Sequence, residues 1–276
     1  MNSIYPGDRH VKYPDRSILT IYTGTEQFSF SLYDPKEPGS YFYCELFGED
    51  ESDAFSVFKE AFFNNPFFSL PFRKVWIMNR TPIFTFIPAS LYKDNSKEEF
   101  LDFLFSERQG VTLSHTVSHT GINVLYQLPE DVYLFMIRSF PQPVFIHYSA
   151  PLIAYFWEKV KKAGVRRMVV NLQEKGLDIF CFSDESLLMG NYFPCSAGLS
   201  EAFYYILFSW KQLKFNQSND YLHITGNTVF REELIYKLAP YLRHIYCLSI
   251  FPEIHFDEVE TNRIPFELAA LSSCEL

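Results

Sequence analysis

His115 and His119 lie four positions apart in the run Ser114-His115-Thr116-Val117-Ser118-His119. On a helix that spacing turns both imidazoles to one face, where they can share a metal ion. The run is rich in Thr and Val and lacks the glutamate of an HExxH helix. It therefore reads as strand or loop and argues against a metal. Cys181, Cys195 and His223 supply the parts of a thiol nucleophile and its base. Cys181 sits in an apolar stretch, where a small packed thiol is expected, and no oxyanion hole is marked. Asp178 with Asp184, and Glu253 with Asp257, are the acid pairs that glycoside chemistry would need. They read as turn and tail positions, where acids are ordinary surface residues. Lys159, Lys161, Lys162, Arg166 and Arg167 make the densest basic group, expected at the solvated end of a helix. No GxGxxG and no GxxxxGK[ST] phosphate loop occurs.

The aromatic residues form the other notable cluster. The 276-residue chain is 18% aromatic, with 30 Phe and 18 Tyr but 11 Gly. Phe62, Phe63, Phe67, Phe68 and Phe72 crowd together around Pro66 and Pro71. One reading is core packing between a helix and its sheet. The other is an exposed surface for a protein partner, with Phe63, Phe67, Phe68 and Phe72 as anchors.

Bulk properties narrow the classes. A hydrophobic fraction of 47% excludes a disordered chain. A formal net charge of −9 disfavours nucleic acid, whose binding rests on phosphate neutralisation. Met1 to Ser17 carries six charged or imidazole side chains and no apolar signal segment. The stretch from Val132 to Trp157 is interrupted by Arg138, Pro141, Pro143, His147 and Pro151, so no membrane span is expected. Five scattered cysteines without a CxxC pair fit reduced thiols in a cytoplasmic protein.

These side chains must be held by a recurring order of elements. Ser17–Thr23, Gln27–Tyr33 and Tyr41–Phe47 read as three strands joined by short turns, the second alternating Phe28, Phe30, Leu32 with Ser29, Ser31, Tyr33. Ser52-Asp53 caps a helix that bears Phe55, Phe58 and Phe62 at helical spacing. Lys74–Met78 and Ile83–Ile87 read as strands, Lys97–Glu107 as a helix, and Val117–Gln127 as one extended piece. A helix opened by Pro129-Glu130-Asp131, a strand at Val144–His147 and a helix from Ala150 to Ala163 follow. The pattern then restarts. Met168–Asn171, Leu177–Phe182 and Leu187–Phe193 are strands, with a turn at Gln173–Gly176. Gly198–Leu213 is a helix, Tyr221–Ile224 a strand, Glu232–Leu238 a helix, His244–Leu248 a strand and Phe266–Leu271 a helix. Ile21 thus answers to Val170, Tyr41 to Leu187, Asp53 to Gly198 and Val75 to Leu222. The repeat is one of structure and not of residue identity. It predicts an α/β fold with two mixed sheets and helices on their faces. The lobes are expected over 1–148, with an insert near 94–127, and over 149–276.

Two βββαβαβ halves resemble the duplicated ribonuclease-H-like lobes of the actin-like ATPase superfamily. The chain looks nearest to the pilus-assembly ATPase-like proteins and, more narrowly, to a Bacteroidetes family, domain of unknown function 3822. The residues that carry this are Leu19-Thr20-Ile21 with the Gly24 turn, Phe84-Thr85-Phe86-Ile87-Pro88, His147-Tyr148-Ser149-Ala150 and Val169-Val170-Asn171-Leu172.

The resemblance implies a nucleotide site made by two acid-bearing hairpin turns and a double-glycine turn. Here the first turn reads Tyr22-Thr23-Gly24-Thr25, without an acid. The second reads Asn171-Leu172-Gln173, with amides, and the third Gly226-Asn227-Thr228, with one glycine. Magnesium wants hard anionic oxygens, so these turns predict little or no ATP hydrolysis. The implied function is a catalytically degenerate module that binds a protein partner and needs no cofactor. The alternative keeps weak ATP binding. Thr23, Gly24, Thr25, Asn171 and Gln173 would then face phosphates, and Gly226, Asn227 and Thr228 the adenosine. A sugar-kinase-like transferase would need a catalytic acid that these turns lack.

Overall fold

The computed structural model describes residues 11–24, 28–46, 53–106, 110–161, 165–173, 175–196, 198–226, 229–248 and 264–274. They fall into two compact units. Those within 11–117 and 121–150 form the first, and those within 118–120, 151–248 and 264–274 the second.

The first unit opens with β1 (Ile18–Thr23), β2 (Phe28–Tyr33) and β3 (Phe42–Leu46), an antiparallel meander. The alternation in β2 sends Phe28, Phe30 and Leu32 into the core. Ser29 and Ser31, on the other face, are buried as well, so the period of two separates an apolar face from a polar buried one. Helix α1 (Ala54–Asn64) starts where the Asp53 carboxylate accepts the Ser56 N–H at 3.1 Å. It lays Phe55, Phe58 and Ala61 on the sheet. β4 (Lys74–Asn79) runs parallel to β1. An extra layer follows: β5 (Phe84–Pro88), α2 (Lys97–Leu104), β6 (Val111–Val117) and β7 (Ile122–Leu128), with strand order β5-β7-β6. Helix α3 (Glu130–Ser139) leads to β8 (Val144–His147), parallel to β4. The main sheet has the order β3-β2-β1-β4-β8.

Helix α4 (Ser149–Lys161) is followed by the same plan. β9 (Arg167–Gln173), β10 (Gly176–Phe182) and β11 (Leu187–Pro194) form an antiparallel meander. Helix α5 (Leu199–Gln212) precedes β12 (Tyr221–Thr225), parallel to β9. Helix α6 (Arg231–Leu238) precedes β13 (His244–Cys247), parallel to β12, and α7 (Phe266–Ser273) comes last. The order β11-β10-β9-β12-β13 repeats that of the first unit, strand for strand and direction for direction. Its core joins Met168, Val170, Leu172, Ile179 and Leu222 to Ala202, Ile206 and Trp210 of α5.

Two expectations change. The single extended piece over Val117–Gln127 is a hairpin, with β6 lying ahead of it and a turn at Ser118–Gly121 that holds His119 at φ +61°. β6 alternates Val111, Leu113 and Val117 with Thr112, Ser114 and Thr116, a period of two interrupted at His115 that the sequence reading passes over. The extra layer therefore begins at Phe84, ahead of Asp94. The expected turn at Gln173–Gly176 loses both of its ends, because Gln173 closes β9 and Gly176 opens β10.

Candidate functional site

In open sheets of this kind ligands bind at the carboxyl ends of the parallel strands. In the first unit that end is a register row: Thr23 of β1, Asn79 of β4 and His147 of β8 stand side by side. All three are buried. The Thr23 hydroxyl accepts the Asn79 amide at 3.0 Å and lies 3.4 Å from the Met78 carbonyl. The His147 imidazole is fully buried, with Nδ1 2.7 Å from the Ser149 hydroxyl and Nε2 3.2 Å from the Thr81 carbonyl. That network assigns the proton to Nε2, with Ser149 donating to Nδ1. Phe84, Tyr126 and Tyr148 wall the ring at 4.4 to 5.3 Å. Burial, helped by the charge of Arg80, lowers its pKa to about 3, so the ring is neutral. The serine–histidine pair resembles a nucleophile and base, but both residues have 0% exposure and a substrate cannot reach them. It is a lock between the end of β8 and the β4–β5 connection.

In the second unit Asn171 of β9 stands between Asp178 of β10 and Thr225 of β12. Asp178 is fully buried in mid-strand, which corrects its reading as a turn acid. Its Oδ2 accepts the Asn171 amide at 3.2 Å and the Gln173 amide at 2.5 Å. The two amides of the second hairpin thus hydrogen-bond a buried acid inside the fold. Thr225 Oγ1 and Gln173 Oε1 are buried without a hydrogen-bond partner. Gly226 has φ +83°, and a Cβ there would lie 2.0 Å from the Leu172 carbonyl oxygen. Its missing side chain is required by the backbone of β9.

Thr25, Asn227, Thr228, Glu253 and Asp257 lie outside the described residues. Gly24 is half-buried directly after β1. The described residues of these turns do not fit magnesium. No carboxylate stands on Thr23–Gly24, and Asp178 is held by two N–H donors rather than opposed by other anionic oxygens. Among the described residues no group of three or more His, Cys, Asp or Glu side chains could hold a metal ion. His115 stands on β6 and His119 in the turn beyond it, so they do not share a helix face. Burial lowers the His115 pKa to about 4, with Lys74 adding to the effect.

The thiol set is not assembled. Cys181 points into the helix-covered core, whereas His223 alternates with Leu222 and Ile224 and faces the other way. Burial raises the Cys181 thiol and pushes Cys195 up to about 11, which disfavours the thiolate at both. His223 packs beside Tyr246 and Phe156, and burial lowers its pKa to about 4. Arg166 donates to the Leu213 and Lys214 carbonyls at the end of α5, which gives this part of the basic group a capping role.

The aromatic cluster resolves mostly as core. Phe67 and Phe68 are 7% and 1% exposed, and Phe68 sits 5.3 Å from Phe30 and 5.7 Å from Phe58. They are therefore unavailable as partner anchors. Phe72 is half-buried against Phe67, and Phe63 alone of the four is largely exposed, at 75%. Asn79 is absent from the sequence reading, Ser149 enters it only as part of the resemblance, and Asp178 enters it as a turn acid and not as a buried one. Only Asp178 left a signal, as an acid between Leu177 and Ile179 in an otherwise apolar strand.

The model of a family described as protein of unknown function (DUF3822) matches residues 10–245. A Bacteroides thetaiotaomicron protein with actin-like ATPase fold and unknown function is 26% identical, with a TM-score of 0.80. The match covers 95% of this chain and 97% of that one. The PilM–PilN type IV pilus biogenesis complex gives a TM-score of 0.60 at 12% identity, covering 92% of this chain and 96% of the matched one. No functionally curated protein matches. The duplicated sheets therefore have the actin-like ATPase fold. Among the described residues no helix is long and apolar enough to cross a membrane.

Proposed function

The chain belongs to the DUF3822 family, and from that premise we propose that it is a catalytically silent actin-like protein that works by binding a protein partner. One observation carries the reading: Thr23 and the two amides of the second hairpin are hydrogen-bonded inside the fold, although Thr225 Oγ1 and Gln173 Oε1 are not. Thr23 is bonded to Asn79, and Asn171 and Gln173 are bonded to Asp178. The space at Gly226 is taken by the Leu172 backbone. A phosphate chain would have to displace these bonds, and among the described residues no anionic oxygen set is ready to hold its magnesium. The PilM–PilN complex offers a precedent for this fold working with another protein.

Calorimetric titration with ATP and Mg²⁺ tests the reading. No heat at millimolar nucleotide is expected. Saturable, magnesium-dependent binding would favour the alternative, a nucleotide-binding protein with weak or absent hydrolysis.

A further inference from the structure

An edge strand offers a row of backbone donors and acceptors that another strand can complete. Proteins usually blunt such edges with charge, proline or shortness. Three edges here follow that habit. β3 has five residues and carries Glu45, β5 has five and ends in Pro88, and β13 has four. β11 does not. Among the described residues its sole sheet neighbour is β10. Its eight residues, Leu187–Pro194, hold no charge, and their one proline comes last.

A bulge leaves Leu188 without a partner opposite Cys181 and Phe182, and the pairing is regular from Met189 to Pro194. The Cys195 N–H donates to the Lys175 carbonyl at 3.0 Å. Counting back by twos, Met189, Asn191 and Phe193 direct their N–H and C=O groups at β10, and Gly190 between them directs its own outward. Gly190 also has no side chain to hold a second backbone off. Asn191, at the centre of the run 188–194, is exposed.

A band of rings continues from this edge over α5. Phe193 stacks on Tyr205 at 4.7 Å, Tyr205 meets Tyr204 at 5.5 Å, and Tyr204 stacks on Phe208 at 5.6 Å. Tyr204 is 57% exposed and Phe208 44%. Together with Leu188, 40% exposed, they extend the uncharged strand into an apolar surface.

We propose that β11 pairs antiparallel with β11 of a second copy of this chain, about a two-fold axis at Asn191. Three observations select that occupant. The run 188–194 overlays its own reverse completely, with Asn191 opposite Asn191 and Met189 opposite Phe193 of the second copy. The chain has a net charge of −9, so most of its surface repels another copy, but this strand carries no charge to do so. An axis perpendicular to the sheet also keeps both α5 helices on one face, so each copy brings rings to cover those of the other. A lone peptide strand would complete the ladder and leave Tyr204 and Phe208 in water. The pairing is independent of the protein-binding reading above.

Sedimentation and crosslinking of the full chain test it. The expected particle has twice the 32.4 kDa chain mass. Asn191→Lys places like charges across the axis and should weaken the dimer at least about tenfold. Directly opposed residues of this kind have Cα atoms about 4.5 Å apart, within reach of a disulfide. Mild oxidation should therefore turn Asn191→Cys into a covalent dimer, in a Cys247→Ser background that removes the exposed thiol. Tyr236→Cys, 80% exposed on α6, should crosslink at least about tenfold less. A single-chain mass up to the solubility limit overturns the proposal. So does a dimer that is indifferent to Asn191→Lys, or one in which position 191 crosslinks no better than position 236. If Asn191→Lys fails to fold, the cysteine pair alone decides.

Discussion

At Gly226 a side chain has no place to go, because both the positive φ and the Leu172 backbone exclude it. Gly226→Ala should therefore cost at least about 2 kcal/mol in urea unfolding, and a cost below about 0.5 kcal/mol would contradict the packing described. The buried histidines give a second prediction. Burial holds His147 at about 3 and His115 and His223 at about 4, below the ordinary value of 6.5. Between pH 6.5 and those values the unfolded chain binds protons that the folded chain does not. Stability is thus full above pH 6.5 and falls as pH drops, by up to ~1.4 kcal/mol per pH unit for each histidine. Urea midpoints measured from pH 7 to pH 4.5 should fall steadily, and His147→Asn should flatten part of the slope. A flat profile in the parent chain would contradict the burial. Histidine and glycine were visible in the sequence, but their roles were not. Gly226 looked like room left for a ligand until the backbone of β9 was found filling it. Asp178 looked like a surface acid because its two amide partners come from the preceding strand and the strand end, and pairing across a hairpin is not written in spacing.

At the level of elements, the phenylalanine run joins α1 to β4 through a short turn that Asn65 starts by accepting the Phe67 N–H at 3.0 Å. That turn rolls Phe67 and Phe68 inward onto Phe30 and leaves Phe63 outside. Phe68→Ala should cost about 3–5 kcal/mol, as a large core deletion does, whereas Phe63→Ser should stay within about 0.5 kcal/mol. Equal costs in urea unfolding would refute the assignment of one ring to core and the other to surface. Helices with a cap and an apolar stripe were legible: α1 begins after Asp53, and α3 begins after Pro129 with two acids in its first turn. β6 was passed over although Val111, Leu113 and Val117 alternate with Thr112, Ser114 and Thr116, because His115 interrupts the apolar face and, among the described residues, the strand sits at the edge of its sheet beside β7. The sheet register at the strand ends, which aligns Thr23, Asn79 and His147, is a tertiary fact that no single segment carries.

Across the whole molecule, two five-stranded sheets of identical order and direction repeat with negligible residue identity. The repeat was readable because strand, turn and helix lengths recur even where residues do not. The actin-like fold that follows is shared with a Bacteroides thetaiotaomicron protein at a TM-score of 0.80. Retaining the architecture does not require retaining the chemistry. Around the strand ends of both units, Asn79 donates to Thr23, and Asn171 and Gln173 donate to Asp178, while Thr225 Oγ1 and Gln173 Oε1 stay buried without a partner. Buried polar networks of this kind rigidify a fold, and opening them to hold a ligand forfeits their bonds. The most direct test is calorimetric titration of the full chain with ATP, with and without Mg²⁺. The account predicts no binding heat at millimolar nucleotide in either case; a saturable heat that requires magnesium would contradict it.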